Sequence, residues 1–188
     1  VILGEPSRLE RLAVDIHDHY VSSCAGDPDR IQKAMIVCSN RKIAYALLQK
    51  FKDKYPEWFE EKKHPDGVSV KEEELRELKP MPFIAMVSSV GKNDAADMYN
   101  YLGGVRNDKR SEEMDAAFKQ EKSNFRIVIV VDMWITGFDV PCLTYLYNDK
   151  PLKKHLLIQT ISRVNRKYQG KDYGMVIDYI GIRDNMRE

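Results

Sequence analysis

The sequence predicts an α/β domain in which helices cover both faces of a mostly parallel sheet. Two observations predict it. Five short apolar runs, rich in Val, Ile and Tyr, recur along the chain, and amphipathic helical patterns lie between them. Runs this short do not fill a buried helix and read as strands buried on both faces, as in a parallel sheet. Strands alternating with helices imply βαβ units and a doubly wound layer structure.

Each element follows in chain order. Residues 1–32 carry a helical pattern, Glu10 to Cys24, then a polar turn through Gly26 to Asp29, and are expected to form a helical connector. The first strand is AMIVC, Ala34 to Cys38, and Ile43, Ala46, Leu47 and Phe51 then recur on one helical face. Residues 55–82 are charged and carry four prolines, and they read as a surface insertion with a short helix, Lys71 to Leu78. FIAMV, Phe83 to Val87, is the second strand. Gly91 to Asp108 contains Gly103-Gly104 and reads as a loop with some helix. Ser111 is expected to cap the next helix, with Glu112 and Glu113 in its first turn and Met114, Ala117 and Phe118 beyond. The strands IVIVV (Ile127 to Val131) and LTYLY (Leu143 to Tyr147) follow. A helix from Leu152 to Arg166 and a strand YGMVI, Tyr173 to Ile177, complete the order.

Composition narrows the function. The 188 residues suffice for one domain, and the net charge of +1 argues neither for nor against nucleic acid, since a binder relying on bulk charge is clearly basic. Charge is unevenly placed: residues 150–171 hold seven Lys or Arg and no acid, whereas 57–79 are acid-rich. Cys24, Cys38 and Cys142 are far apart and odd in number, which disfavours a zinc site or disulfides and suits reduced, cytoplasmic thiols. No apolar run is long enough to span a bilayer, no secretory signal opens the chain, and no metal site is expected. The first residue is Val, which suggests a fragment of a longer chain.

Two constellations carry chemistry. Gln159, Arg163 and Arg166 are spaced four and three apart, which places them on one face of a helix, with Leu157, Ile161 and Val164 opposite. Guanidinium forks suit phosphate oxygens because they offer paired donors and stay charged. On its own, this pattern reads more simply as a solvated helix face. The second constellation leaves the IVIVV strand as Asp132-Met133-Trp134-Ile135-Thr136-Gly137-Phe138-Asp139-Val140-Pro141. Ligands in open α/β sheets bind at the carboxyl ends of strands, and a glycine there lets backbone approach a ligand. The plain alternative is a tight strand-exit turn with Asp139 capping locally. Ser39, Asn40 and Arg41 sit where the first strand gives way to its helix, and Ser88 and Ser89 end the second strand. Both groups are candidate phosphate contacts; helix capping explains Ser39 and Asn40 equally well.

These motifs, in this order, resemble motifs V and VI of superfamily 2 helicases: T-G-F-D-V-P after a strand, then Asn148-Asp149-Lys150-Pro151, then Q-x-x-x-R-x-x-R. KAMIVCSNR, Lys33 to Arg41, looks like motif IV. VDMWITGFDVP and LIQTISRVNR look most like the motor subunit of type I restriction-modification enzymes, although many relatives carry glycine where this chain has Ser162 or Asn165.

The resemblance implies that residues 33–188 form the second RecA-like lobe of an ATP-dependent DNA translocase, a three-layer domain, here from a type I site-specific deoxyribonuclease. Arg166 would be the arginine finger and Arg163 its partner. Gln159, Gly137 and Asp139 would lie at the nucleotide. Thr136, Ser39, Asn40, Arg41, Ser88 and Ser89 would contact the backbone of double-stranded DNA. ATP would be held with Mg²⁺ bound by a first RecA-like lobe. These residues contain no G-x-x-x-x-G-K-[S/T], so the fragment alone is expected to be inactive. The implied partners are that first lobe and a nuclease domain of the same polypeptide, the specificity and methylation subunits, and no membrane. Two other readings compete: a non-catalytic nucleic-acid or protein-binding module of the same fold, and an unrelated doubly wound enzyme. A loose nuclease pattern, Pro65-Asp66 with Glu77-Leu78-Lys79, and the cluster Asp15, His17, Asp18 and His19 read as surface features. Trp134 reads as a packing residue.

Overall fold

A computed structural model describes residues 2–135 and 137–180. Every apolar run becomes a strand. β1 (Lys33–Cys38), β2 (Ile84–Met86), β3 (Ile127–Val130), β4 (Leu143–Asp149) and β5 (Met175–Asp178) form one sheet in the order β2-β3-β1-β4-β5. All four pairings are parallel, so the sheet is wholly rather than mostly parallel among the described residues. Parallel strands are buried on both faces, and β1 to β4 are buried at every position.

Alternation along each strand divides the core in two. Ala34, Ile36, Ile127, Ile129, Ile84 and Met86 face α1 (Pro6–Cys24) and α2 (Arg41–Lys54). Met35, Val37, Val128, Val130, Ala85 and Val87 face the opposite layer. That layer is built by α5 (Asn107–Lys119), by the end of α6 (Lys154–Val164), and by the β3–β4 connection through Ile135, Phe138 and Val140. Two short helices, α3 (Glu72–Glu77) and α4 (Ala96–Tyr101), lie in the longer connections. The result is a three-layer α/β domain of RecA-like form.

Several boundaries differ from expectation. α1 begins at Pro6, because Glu5 caps it through bonds from the backbone N–H of Ser7 and Arg8 at 3.1 and 2.8 Å. Its Leu9, Leu12, Ala13, Ile16 and Tyr20 are buried in the core. Ser111 does not cap α5. The helix starts at Asn107, whose side-chain amide donates to the carbonyls of Ser88 and Leu102 at 2.8 Å each, so it nucleates a turn earlier. The Ser111 hydroxyl is left buried without a partner among the described residues. Within residues 55–82, Trp58 is buried against Phe51 and Phe83, and a backbone bridge between Lys62 and Met81 closes the charged segment on itself.

Lys33 is fully buried at the start of β1. Its ammonium donates to the carbonyls of Phe118 and Gln120 at 2.5 and 2.8 Å, satisfying the end of α5. Burial pulls its pKa from 10.5 down to about 7. Between those values the unfolded chain holds more protons at this site than the native one, so the site's contribution to stability rises with pH from 7 to 10.5. The stability difference between the native chain and Lys33→Met should therefore shift in favour of the native chain by up to about 1.4 kcal/mol per pH unit in that window. Urea midpoints at pH 7, 8 and 9 measure it, and a flat difference would show that Lys33 stays charged in the core.

Candidate nucleotide and nucleic-acid edge

Because the strands are parallel, their carboxyl ends open at one edge, where open α/β sheets place ligands. The chain leaves this edge at Ser39 after β1, at Val87 after β2, at Val131 after β3 and at Lys150 after β4. Among the described residues no group of His, Cys, Asp or Glu could hold a metal ion. His17 stacks on Tyr55 at 3.6 Å, and His19 bonds to the Tyr147 hydroxyl at 2.8 Å, so the two take different partners. The cysteines are free.

α6 brings the predicted arginines to the β3 exit. Leu157, Thr160 and Val164 are its buried positions, while Gln159 is exposed. The helix is shorter than expected. Asn165 leaves helical geometry at φ −90° and ψ 38°, so Arg166 lies beyond the helix and does not share a helical face with Gln159 and Arg163. Both guanidinium groups nevertheless reach the same loop. Arg163 Nη1 donates to the carbonyl of Phe138 at 3.2 Å, and Arg166 Nη2 lies 3.2 Å from Asp139 Oδ2. The Arg163 Nε is buried and has no acceptor among the described residues. The Arg166 and Asp139 side chains are each about half exposed. The end of α6 is fixed from below by Gly174: a Cβ there would lie 2.1 Å from the Val164 carbonyl oxygen.

The β3 exit loop is tightly bent. Gly137 is left-handed at φ 73° and exposed, with nothing among the described residues within 4 Å of where a Cβ would sit, so backbone conformation rather than crowding calls for glycine. Trp134 also has a positive φ, 66°, which is strained for a bulky residue. It is held there by stacking on Phe138 at 4.4 Å with planes 7° apart, and by Phe118. Thr136 lies outside the described residues.

A second group gathers at the ends of β1 and β2. Asn40 caps α2, its side-chain oxygen accepting from the Ile43 N–H at 2.9 Å. The Ser39 hydroxyl donates to the Asp149 carbonyl at 3.0 Å. Arg41 Nη1 donates to the Ser89 carbonyl at 3.1 Å. Ser88 is buried and Ser89 exposed. Sequence reasoning missed a buried ion pair of the edge, in which Arg8 of α1 grips the Asp149 carboxylate with both terminal nitrogens. An acid ending the apolar run LTYLYND signals that a partner is needed, but nothing local names a residue 141 positions away.

The fold, together with the matches that follow, shows the class: a helicase C-terminal RecA-like lobe. More particularly, this chain is related, over that single lobe, to the R subunit of type I restriction enzymes. The family model described as type I restriction enzyme subunit R domain 3 matches residues 91–181. The MjaIXP endonuclease subunit of Methanocaldococcus jannaschii, assigned to a type I restriction enzyme, is 36% identical over 178 residues, 95% of this chain and 14% of that protein. The type I restriction enzyme HindI endonuclease subunit of Haemophilus influenzae is 31% identical over 189 residues, 99% of this chain and 16% of that protein. A solved fragment assigned to an HsdR subunit of a type I restriction enzyme from Vibrio vulnificus YJ016 shares the fold, with TM-score 0.56 and 16% identity over 95% of this chain and 28% of that one. The chain thus spans only 14% and 16% of the length of the two sequence relatives. Among the described residues, no helix is long and apolar enough to cross a membrane.

Proposed function

We propose that this chain is the second motor lobe of an ATP-driven duplex-DNA translocase, the motor subunit of a type I restriction enzyme, acting with a first lobe and a nuclease domain of the same polypeptide and with specificity and methylation subunits. The observation that carries the reading is the convergence of Arg163 and Arg166 on residues 138–139 at the β3 exit. The donor set fits a polyphosphate: two guanidinium groups at a strand-end edge, one with a buried Nε that has no acceptor among the described residues. ATP with Mg²⁺ held by the first lobe supplies a transferable phosphoryl group when bound.

The residues of this chain divide the work. Arg166 is the finger. Its contact with Asp139 joins two half-exposed side chains, and such pairs are worth about 0–1 kcal/mol, so Arg166 can exchange the carboxylate for a phosphate oxygen at little cost. Arg163 is held more firmly and braces the loop. Exposed Gln159 and the left-handed Gly137 complete the nucleotide face. Ser39, Asn40, Arg41 and Ser89, with buried Ser88 behind them, stand on the DNA-facing edge at the ends of β1 and β2, and Thr136 is read from its motif as a further backbone contact. The contacts there are sequence-blind, as a motor walking along any DNA requires. The test is DNA-stimulated ATP hydrolysis by the intact parent polypeptide carrying Arg163→Ala and Arg166→Ala together. Turnover should be lost with duplex binding retained; wild-type turnover would remove the motor reading.

A further inference from the structure

We infer that Arg41 is a positioning residue, one that staples the loop of residues 89–94 to the start of α2, and that Lys92 on this loop is the group that meets a DNA phosphate. The inference rests on the reading of this edge as DNA-facing. It reassigns Arg41, whose place at the end of the first strand made it a candidate for direct contact.

The staple is specific. Arg41 Nη2 lies 2.9 Å from Asp94 Oδ1, and the Asp94 side chain is only 3% exposed. Arg41 Nη1 donates to the Ser89 carbonyl at 3.1 Å. The other Asp94 oxygen accepts from the Gly91 N–H at 2.6 Å, and the Asp94 N–H returns to the Gly91 carbonyl at 3.2 Å. The loop is thereby closed on itself and tied to α2 by one guanidinium. Gly91 makes this geometry available: a Cβ there would lie 2.1 Å from Arg41 Nη2, so any larger residue displaces the guanidinium. Both terminal nitrogens of Arg41 are engaged within the protein.

What the staple presents is Lys92. It is exposed, and no ion pair engages it among the described residues. The adjoining Asn93 lines an open cavity of about 600 Å³ together with Asn40 and Lys42 at the start of α2. Lys42 and two side-chain amides line this opening, beside the loop that carries Lys92; with the Asp94 carboxylate neutralised by Arg41, this face suits the oxygens of a phosphodiester backbone.

Binding of the parent protein to a duplex oligonucleotide across a salt series tests this. Each neutralised phosphate contributes a slope of about 0.9 in log affinity against log salt. Lys92→Gln, a surface change that should leave folding intact, is expected to reduce the slope by about one contact, roughly eightfold in affinity per tenfold change in salt. Arg41→Met and Asp94→Asn should each weaken binding by a similar factor, and the double variant no further, because both break one staple. Gly91→Ala should match them, and it keeps the test open should Asp94→Asn fail to fold. An unchanged slope for Lys92→Gln, or additive losses for Arg41 and Asp94, would overturn the inference. Collapse of turnover in the Arg163/Arg166 double variant beside wild-type binding by Lys92→Gln would overturn it while sparing the motor reading.

Discussion

Arg166→Ala in the intact parent polypeptide is expected to lower DNA-stimulated ATP turnover by at least about two orders of magnitude, within reach of the 10³–10⁵ associated with an arginine finger. The effect should fall on turnover and not on folding. Among the described residues Arg166 makes one ion pair, half exposed, to Asp139, whose loss costs about 1 kcal/mol or less. Thermal unfolding of the lobe should therefore barely move. Arg166→Lys separates charge from shape. An ammonium keeps the charge but not the paired donors of a guanidinium, so turnover should recover only in part. Arg163→Ala should behave differently, because that side chain is half-buried and bonded to the Phe138 carbonyl, and its removal should disturb the β3 exit as well as turnover. Steady-state kinetics with duplex DNA in excess measure all three. Full activity of Arg166→Ala would assign that guanidinium to the surface.

Arg8→Ala should destabilise the lobe by about 3–5 kcal/mol, a large share of an ordinary domain's total stability. The reason is the partner left behind. The Asp149 side chain is 1% exposed and is held by both terminal nitrogens of Arg8, and Arg8 Nη1 also donates to the Leu3 carbonyl at 3.0 Å. Without the guanidinium, a buried carboxylate at the end of β4 has lost its counter-charge. Replacing both residues, Arg8→Met with Asp149→Leu, should recover most of the loss, since apolar pairs often substitute for buried ion pairs without penalty. Urea denaturation of the single and the double variant decides the matter. A single-variant loss near 1 kcal/mol would mean that water reaches Asp149.

Much of the fold could be read directly because the strands are buried on both faces. AMIVC, FIAMV and IVIVV carry no polar position to confuse the pattern, and their parallel pairing follows. The helix ends were harder. Ser111 followed by two glutamates has the composition of a helix start, yet Asn107 is anchored by bonds to Ser88 and Leu102, contacts that exist only once the chain is folded. The same limit applies to Arg166. The periodic spacing of Gln159, Arg163 and Arg166 implies one continuous helix, but Asn165 turns the chain out of it, and Arg166 reaches Asp139 from outside. Asn40 shows the opposite case, since the local capping pattern was visible and the cap is present. What local pattern could not supply were partners across long separations: Arg8 for Asp149, Asp94 for Arg41, and the α5 carbonyls for Lys33.

The close approach of Gly174 to the Val164 carbonyl restricts how the lobe can move. Backbone stands against backbone there, and any side chain at residue 174 would have to push the end of α6 away from β5. On the motor reading, the end of α6 would then move with β5 and not slide past it. On the motor reading, the stroke is then a hinge motion whose pivot lies away from this contact, and the arginines are carried to the nucleotide by rotation of the whole lobe.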